Sequence, residues 1–70
     1  MLPLNLADEG EELIIKKVGG SAEVKKHLED LGFTVGGAVY VLSRLGGNVI
    51  VKMKESRLAI NEDMARKIMV

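Results

Sequence analysis

The sequence predicts a mainly β fold, a small barrel of about five short strands with one inserted α-helix and a short late helical turn. Three observations carry this reading. Glycine punctuates the chain at Gly10, Gly19-Gly20, Gly32, Gly36-Gly37 and Gly46-Gly47, which leaves short, closely turned segments. Period-two alternation marks the middle, where Val49, Val51 and Met53 interleave with Ile50, Lys52 and Lys54. Helical spacing stands out once, with Val24, Leu28 and Leu31 at i, i+4 and i+7.

Taken in order, Asn5 is placed to cap a short turn that Gly10 closes, with Asp8 and Glu9 near its start. Glu12 to Val18 reads as a strand on the strength of Leu13-Ile14-Ile15 and Val18. Ser21 to Leu31 is the helix. Ser21 is its N-cap, Gly32 is the left-handed residue after its end, and Phe33 folds back on Leu28 in a Schellman closure. Ala38 to Leu45 and Asn48 to Lys54 form a hairpin across Gly46-Gly47. A connection with an odd residue count puts Val39 and Val41 on the face of Val49 and Val51, whereas a two-residue connection puts Tyr40 and Leu42 there. The odd count is preferred because it gathers β-branched residues inside and leaves both lysines outside. Arg57 to Ile60 follows a Glu55-Ser56 turn as another strand. Asn61 caps a helical turn ending at Arg66-Lys67, and Ile68-Met69-Val70 returns as the last strand. This order of elements is that of an SH3-like barrel.

Seventy residues make one domain, spanning 1–70. Hydrophobic residues are 47% of the chain, but there is one Phe, one Tyr and no Trp, so the core must be aliphatic. With no cysteine there is no disulfide framework and no thiolate metal site. Ten basic and ten acidic residues cancel, which argues against nucleic acid as a partner, since phosphate contacts dominate that affinity. Scarce aromatics argue the same way against stacking on bases. No apolar run reaches the roughly 18 residues of a membrane span. The opening residues lack a basic segment followed by a long apolar one, so no signal peptide is expected and the expected location is cytoplasmic.

Catalysis finds little support. The single histidine, His27, lies mid-helix, and neither a nucleophile elbow nor a phosphate-binding Gly-rich motif is present. The expectation is a protein that is not an enzyme and has no resident cofactor. Glu23, His27 and Asp30, at i, i+4 and i+7, are a weak candidate set for a ferrous or other divalent ion. Asp8, Glu9, Glu11 and Glu12 form an acidic cluster without the alternating ligands of a calcium loop. An ordinary solvated surface accounts for both. Arg44, Lys52, Lys54 and Arg57 gather around the hairpin and also serve as edge charges that block aggregation. In the preferred register Tyr40, Leu42 and Ile50 point outward among them, and apolar groups rimmed by charge mark protein-binding surfaces. Tyr40, Leu42, Arg44 and Ile50, with Phe33 at the helix exit, are therefore the expected partner contacts.

The order of motifs resembles the FeoA family of bacterial ferrous iron uptake. The matching stretches are Leu4 to Glu11, Val18-Gly19-Gly20, the helix end Leu28-Glu29-Asp30-Leu31-Gly32-Phe33, Gly36, Val39-Tyr40-Val41, Val49 to Ile60 and Ala65 to Val70, nearly the whole chain. A related domain occurs at the C-terminus of iron-dependent repressors. The resemblance implies an SH3-like barrel with an inserted helix. It also implies a cytoplasmic accessory role and association with FeoB, a membrane transporter carrying a cytosolic GTPase domain. Contact with the membrane would then come only through that partner. A monomer is the default expectation, and an exposed strand edge leaves a dimer or a trimer open. The family is often described as binding transition metals, which makes an intracellular ferrous-ion sensor or carrier the alternative role.

Overall fold

The apolar stripe of the one long helix and the alternating hairpin meet in a single aliphatic core. In the structure, a computed structural model, residues 1–54 and 56–70 are described. A 3-10 turn (Leu4–Leu6) leads to β1 (Leu13–Ile14), β2 (Lys17–Val18), α1 (Ala22–Asp30), β3 (Ala38–Leu45), β4 (Asn48–Lys52), β5 (Arg57–Asn61), α2 (Glu62–Ala65) and β6 (Ile68–Met69). The strands form two antiparallel sheets, ordered β1-β3-β4-β5 and β2-β6. Among the described residues there are six strands rather than about five, because the segment Glu12 to Val18 changes sheets midway. Leu13 and Ile14 pair with β3, whereas Lys17 and Val18 pair with β6. The corner is held by Ile15, whose N–H donates to Gly37 O at 2.9 Å and whose carbonyl accepts from Gly36 N at 2.8 Å. Ile15 is itself core, and the next residue makes the bond to the other sheet, Lys16 N donating to Met69 O at 2.8 Å. Strands that switch sheets at a corner are the usual way two small sheets close on a common core.

Helix α1 begins and ends as its sequence dictates. Ser21 Oγ accepts from Val24 N at 3.2 Å. Gly32, at φ +108°, donates to Glu29 O, and Phe33 N donates to Leu28 O at 3.0 Å, the two bonds of a Schellman closure. Leu28 and Phe33 are both completely buried. Phe33 is thus the ring at the centre of an aliphatic core, and the expectation that it meets a partner at the helix exit is corrected. The closure that reverses the chain after α1 turns its side chain inward. Around it pack Leu4, Ile15, Val18, Val39, Val41, Val49, Val51, Ile60 and Ile68.

Two local expectations change. Asn5 lies inside the 3-10 turn and does not cap it; Pro3 precedes the turn and no side chain caps it. Asn61, by contrast, does cap α2, accepting from Met64 N at 2.8 Å. The Glu55-Ser56 turn falls partly outside the described residues.

The hairpin departs from expectation in an instructive way. Leu45 pairs with Asn48, so the connection is the two residues Gly46-Gly47 and not an odd number. Yet Val39, Val41, Val49 and Val51 all face the core, as the odd count had required. The parity is restored by a bulge: Val41 pairs with Val51 and Ser43 with Ile50, which leaves Leu42 without a partner.

Candidate functional site

The bulge decides what the hairpin shows to solvent. Beyond it, residues of β3 alternate in the opposite sense from those before it. Tyr40 lies beside Lys52, which lies beside Arg57; Ser43 lies beside Ile50, which lies beside Ala59; Leu45 lies beside Asn48, which lies beside Asn61. These three rows, with the bulged Leu42 between the first two, make one outer face. Leu42 and Leu45 are exposed, Tyr40 and Ile50 half-buried. Lys52 and Arg57 are exposed at the Tyr40 end. Beyond them the face runs into a groove of about 690 Å³, bounded by Glu12, Tyr40, Lys52, Lys54, Met53 and the loop at Thr34 to Ala38.

Tyr40 is fixed across this groove by its hydroxyl, which donates to Glu12 Oε2 at 3.1 Å. That hydrogen bond, then the carboxylate's charge and burial, hold the phenol above its ordinary pKa of 10.0. The ring is therefore presented neutral and oriented.

Arg44 does not share this face. It pairs with Val49, on the opposite side of the strand from Ser43 and Leu45, and remains exposed at the sheet margin. Its Nε donates to Asn5 O at 3.0 Å, Nη2 donates to Ala7 O, and Nη1 lies 4.0 Å from Glu9 Oε2. The guanidinium ties the N-terminal turn to the hairpin, and Gly10 N adds a bond to Val41 O at 2.9 Å. Arg44 is a structural clamp, and its expected place among Tyr40, Leu42 and Ile50 is corrected. The physical cause is the bulge, which places Ser43 on the outer face and Arg44 on the side of Val49. Leu45 and Ala59, which sequence reasoning did not single out, complete the face; the signal for Leu45 was present in the two-residue glycine connection.

Glu23, His27 and Asp30 are all exposed on α1. Among the described residues no three His, Cys, Asp or Glu side chains come together as a group able to hold a metal ion, and that applies to this set and to the Asp8–Glu12 cluster. No helix among the described residues is long and apolar enough to cross a membrane.

The same architecture occurs in known proteins. A crystal structure of an iron uptake regulatory protein (FeoA) superposes with a TM-score of 0.85 at 25% identity, covering 96% of this chain and 89% of that one. A manganese-dependent transcriptional repressor matches with a TM-score of 0.84 at 14% identity, over 94% of this chain but only 38% of the repressor, a likeness of fold alone. In sequence, a curated relative from Methanocaldococcus jannaschii, described as an Fe(2+) transport protein A, is 39% identical over 70 residues, all of this chain and 85% of the relative. The FeoA domain model matches residues 2–70, so the chain belongs to the FeoA family of ferrous iron transport proteins.

Proposed function

We propose that this chain is a non-enzymatic, cytoplasmic accessory of ferrous iron uptake that docks on the cytosolic GTPase domain of a FeoB-type transporter and modulates it. The observation that supports this most is the outer hairpin face. Tyr40, Leu42, Leu45 and Ile50 form an apolar strip across two strands, with Lys52 and Arg57 at one end. A strip of this kind excludes water at the centre of an interface, while the basic rim steers an acidic partner surface into register. Tyr40 suits such a place because its ring is already oriented by Glu12 and loses little freedom on binding.

The test is an amide NMR titration of the labelled protein with the transporter's cytosolic GTPase domain, and separately with ferrous ion. Shifts concentrated on Tyr40, Leu42, Leu45 and Ile50 with the domain are expected, and the double variant Tyr40→Ser, Leu42→Ser should bind at least tenfold more weakly while keeping its fold. Unchanged affinity in the folded double variant would overturn the assignment of the face. Saturable shifts around His27 with ferrous ion, and silence with the domain, would reverse the reading in favour of a metal sensor or carrier.

A further inference from the structure

The outer face ends at β5, and β5 ends the sheet. The backbone groups on its free side can be assigned. Met53 N donates to Ser56 O and Ser56 N to Met53 O, and at the other end Glu62 N donates to Gly47 O. Hydrogen-bonded pairs alternate along an antiparallel ladder, so Leu58 and Ile60 bond to Val51 and Val49 of β4. Arg57, Ala59 and Asn61 therefore direct their N–H and C=O groups away from the sheet. Asn61 is also the N-cap of α2, so its C=O serves the first turn of that helix, and β5 pairs with no strand but β4, which leaves the outward groups of Arg57 and Ala59 and the N–H of Asn61 without a strand partner among the described residues. The usual protections of an edge are thin here: β5 has no proline and no bulge, and its charge sits at one end, on Arg57.

We propose that β5 pairs with β5 of a second copy of this chain, antiparallel and centred on Ala59, so that two four-stranded sheets become one eight-stranded sheet. The choice of a second copy rests on self-complementarity, which a two-fold contact demands. With Ala59 on the axis, Arg57 lies opposite Asn61 of the other copy, and Leu58 opposite its Ile60. The two Ala59 residues then exchange both N–H and C=O groups, and each Arg57 C=O accepts from the Asn61 N–H of the other copy. Each Arg57 thus faces the uncharged Asn61 of the other copy, so no like charges meet at either end of the contact. Leu58, half-buried at the sheet margin, gains the neighbouring Ile60 on the core side. The Ala59 side chains, exposed and small, meet at the axis, where Cα atoms of a bonded pair stand about 5.5 Å apart. A parallel arrangement would instead stack Arg57 on Arg57. Association closes at two copies, because the opposite edge is the two-residue strand β1. The two outer faces then form one continuous surface of double width, and this departs from the monomer that the sequence led us to expect.

The test is sedimentation equilibrium of the full chain across a wide concentration range, with two variants. Wild type should move from 7.6 kDa toward twice that mass. Ala59→Lys places like charges across the axis on an exposed position, and Ala59→Pro removes an outward donor without touching the β4 ladder; each should weaken association at least tenfold. In isotope-mixed samples, Hα contacts between Leu58 and Ile60 of different copies and concentration-dependent protection of the Ala59 amide fix the register. A wild type that stays at single-chain mass at millimolar concentration would overturn the proposal. So would a folded Ala59→Lys variant that associates as well as wild type. Both readouts are independent of the transporter domain, so failure here and failure of the docking assignment are separable.

Discussion

Replacing Arg44 by methionine removes the guanidinium while keeping most of the apolar stem, and the structure sets what that should cost. Two donors are lost from backbone carbonyls, Asn5 O at 3.0 Å and Ala7 O, the second of them partly buried. Hydrogen bonds from a charged donor contribute about 1.5–3 kcal/mol each when well shielded. This side chain is 35% exposed and its bond to Asn5 O is exposed too, so about 1 kcal/mol each applies, below that range. The contact with Glu9, at 4.0 Å and half in solvent, adds no more than about 0.5 kcal/mol. The sum is about 2–3 kcal/mol. A chain of 70 residues has a total stability of about 3.5–10 kcal/mol, so this one clamp is a large share of it. With a urea dependence of about 1 kcal/mol per molar, the unfolding midpoint should fall by about 2–3 M. Arg44→Lys should recover less than half of the loss, because one ammonium cannot span two carbonyls as a planar fork does. A midpoint shift below about 0.5 M, or full recovery by lysine, would refute the account of Arg44 as the tie between the N-terminal turn and the hairpin.

Further outcomes follow from the same packing. Leu28→Ala should cost about 2–5 kcal/mol in urea unfolding, whereas Leu31→Ala, on the exposed end of the same stripe, should cost less than about 1 kcal/mol. Gly32→Val should destabilise by about 2 kcal/mol or more, since φ is +108° there and a β-branched side chain resists that region; near-equal melting temperatures would contradict the Schellman closure. Tyr40 is the chain's only tyrosine and there is no tryptophan, so its ionisation can be read directly by ultraviolet absorbance. Its midpoint should lie above 10.0 and fall toward that value in Glu12→Gln. Because the folded pKa is raised, the stability it contributes is present below the unfolded value and is lost as pH climbs through the folded one.

What could be read from the residues was whatever is written in local chemistry. Ser21, Gly32 and Phe33 announce both ends of α1 because capping is satisfied within a few residues. Asn61 announces α2 in the same way. The segment from Glu12 to Val18 was readable as strand but not as two strands, since the decision to change sheets is made at Ile15 by Gly36 and Gly37, more than twenty residues away. Asn5 misleads for a related reason. A cap-type residue near a turn is a local signal, and the turn was instead placed by Pro3 and by the pull of Arg44 on its carbonyl.

Two different hairpins bury the same four valines and present different outer faces. Burying four valines fixes the parity of the hairpin, and an odd number of extra residues must be placed somewhere between Val41 and Val49. A three-residue connection and a two-residue connection with a bulge both satisfy that demand. They differ only in which residues lie between the bulge and the turn. The structure puts the extra residue at Leu42, and Ser43, Arg44 and Leu45 consequently swap faces relative to the other solution. Tyr40 and Ile50 are outward in both, so they were legible; Arg44 and Leu45 are not common to both, and they are the two residues whose roles the structure exchanges. Arg44 leaves the outer face to bind carbonyls of the N-terminal turn, and Leu45 takes a place on the strip. The bulge thus sets two properties at once, the attachment of the N-terminus and the composition of the outer face. Deleting Leu42 should disturb both together, whereas Leu42→Ser should weaken docking and leave the clamp, and with it the unfolding midpoint, almost unchanged.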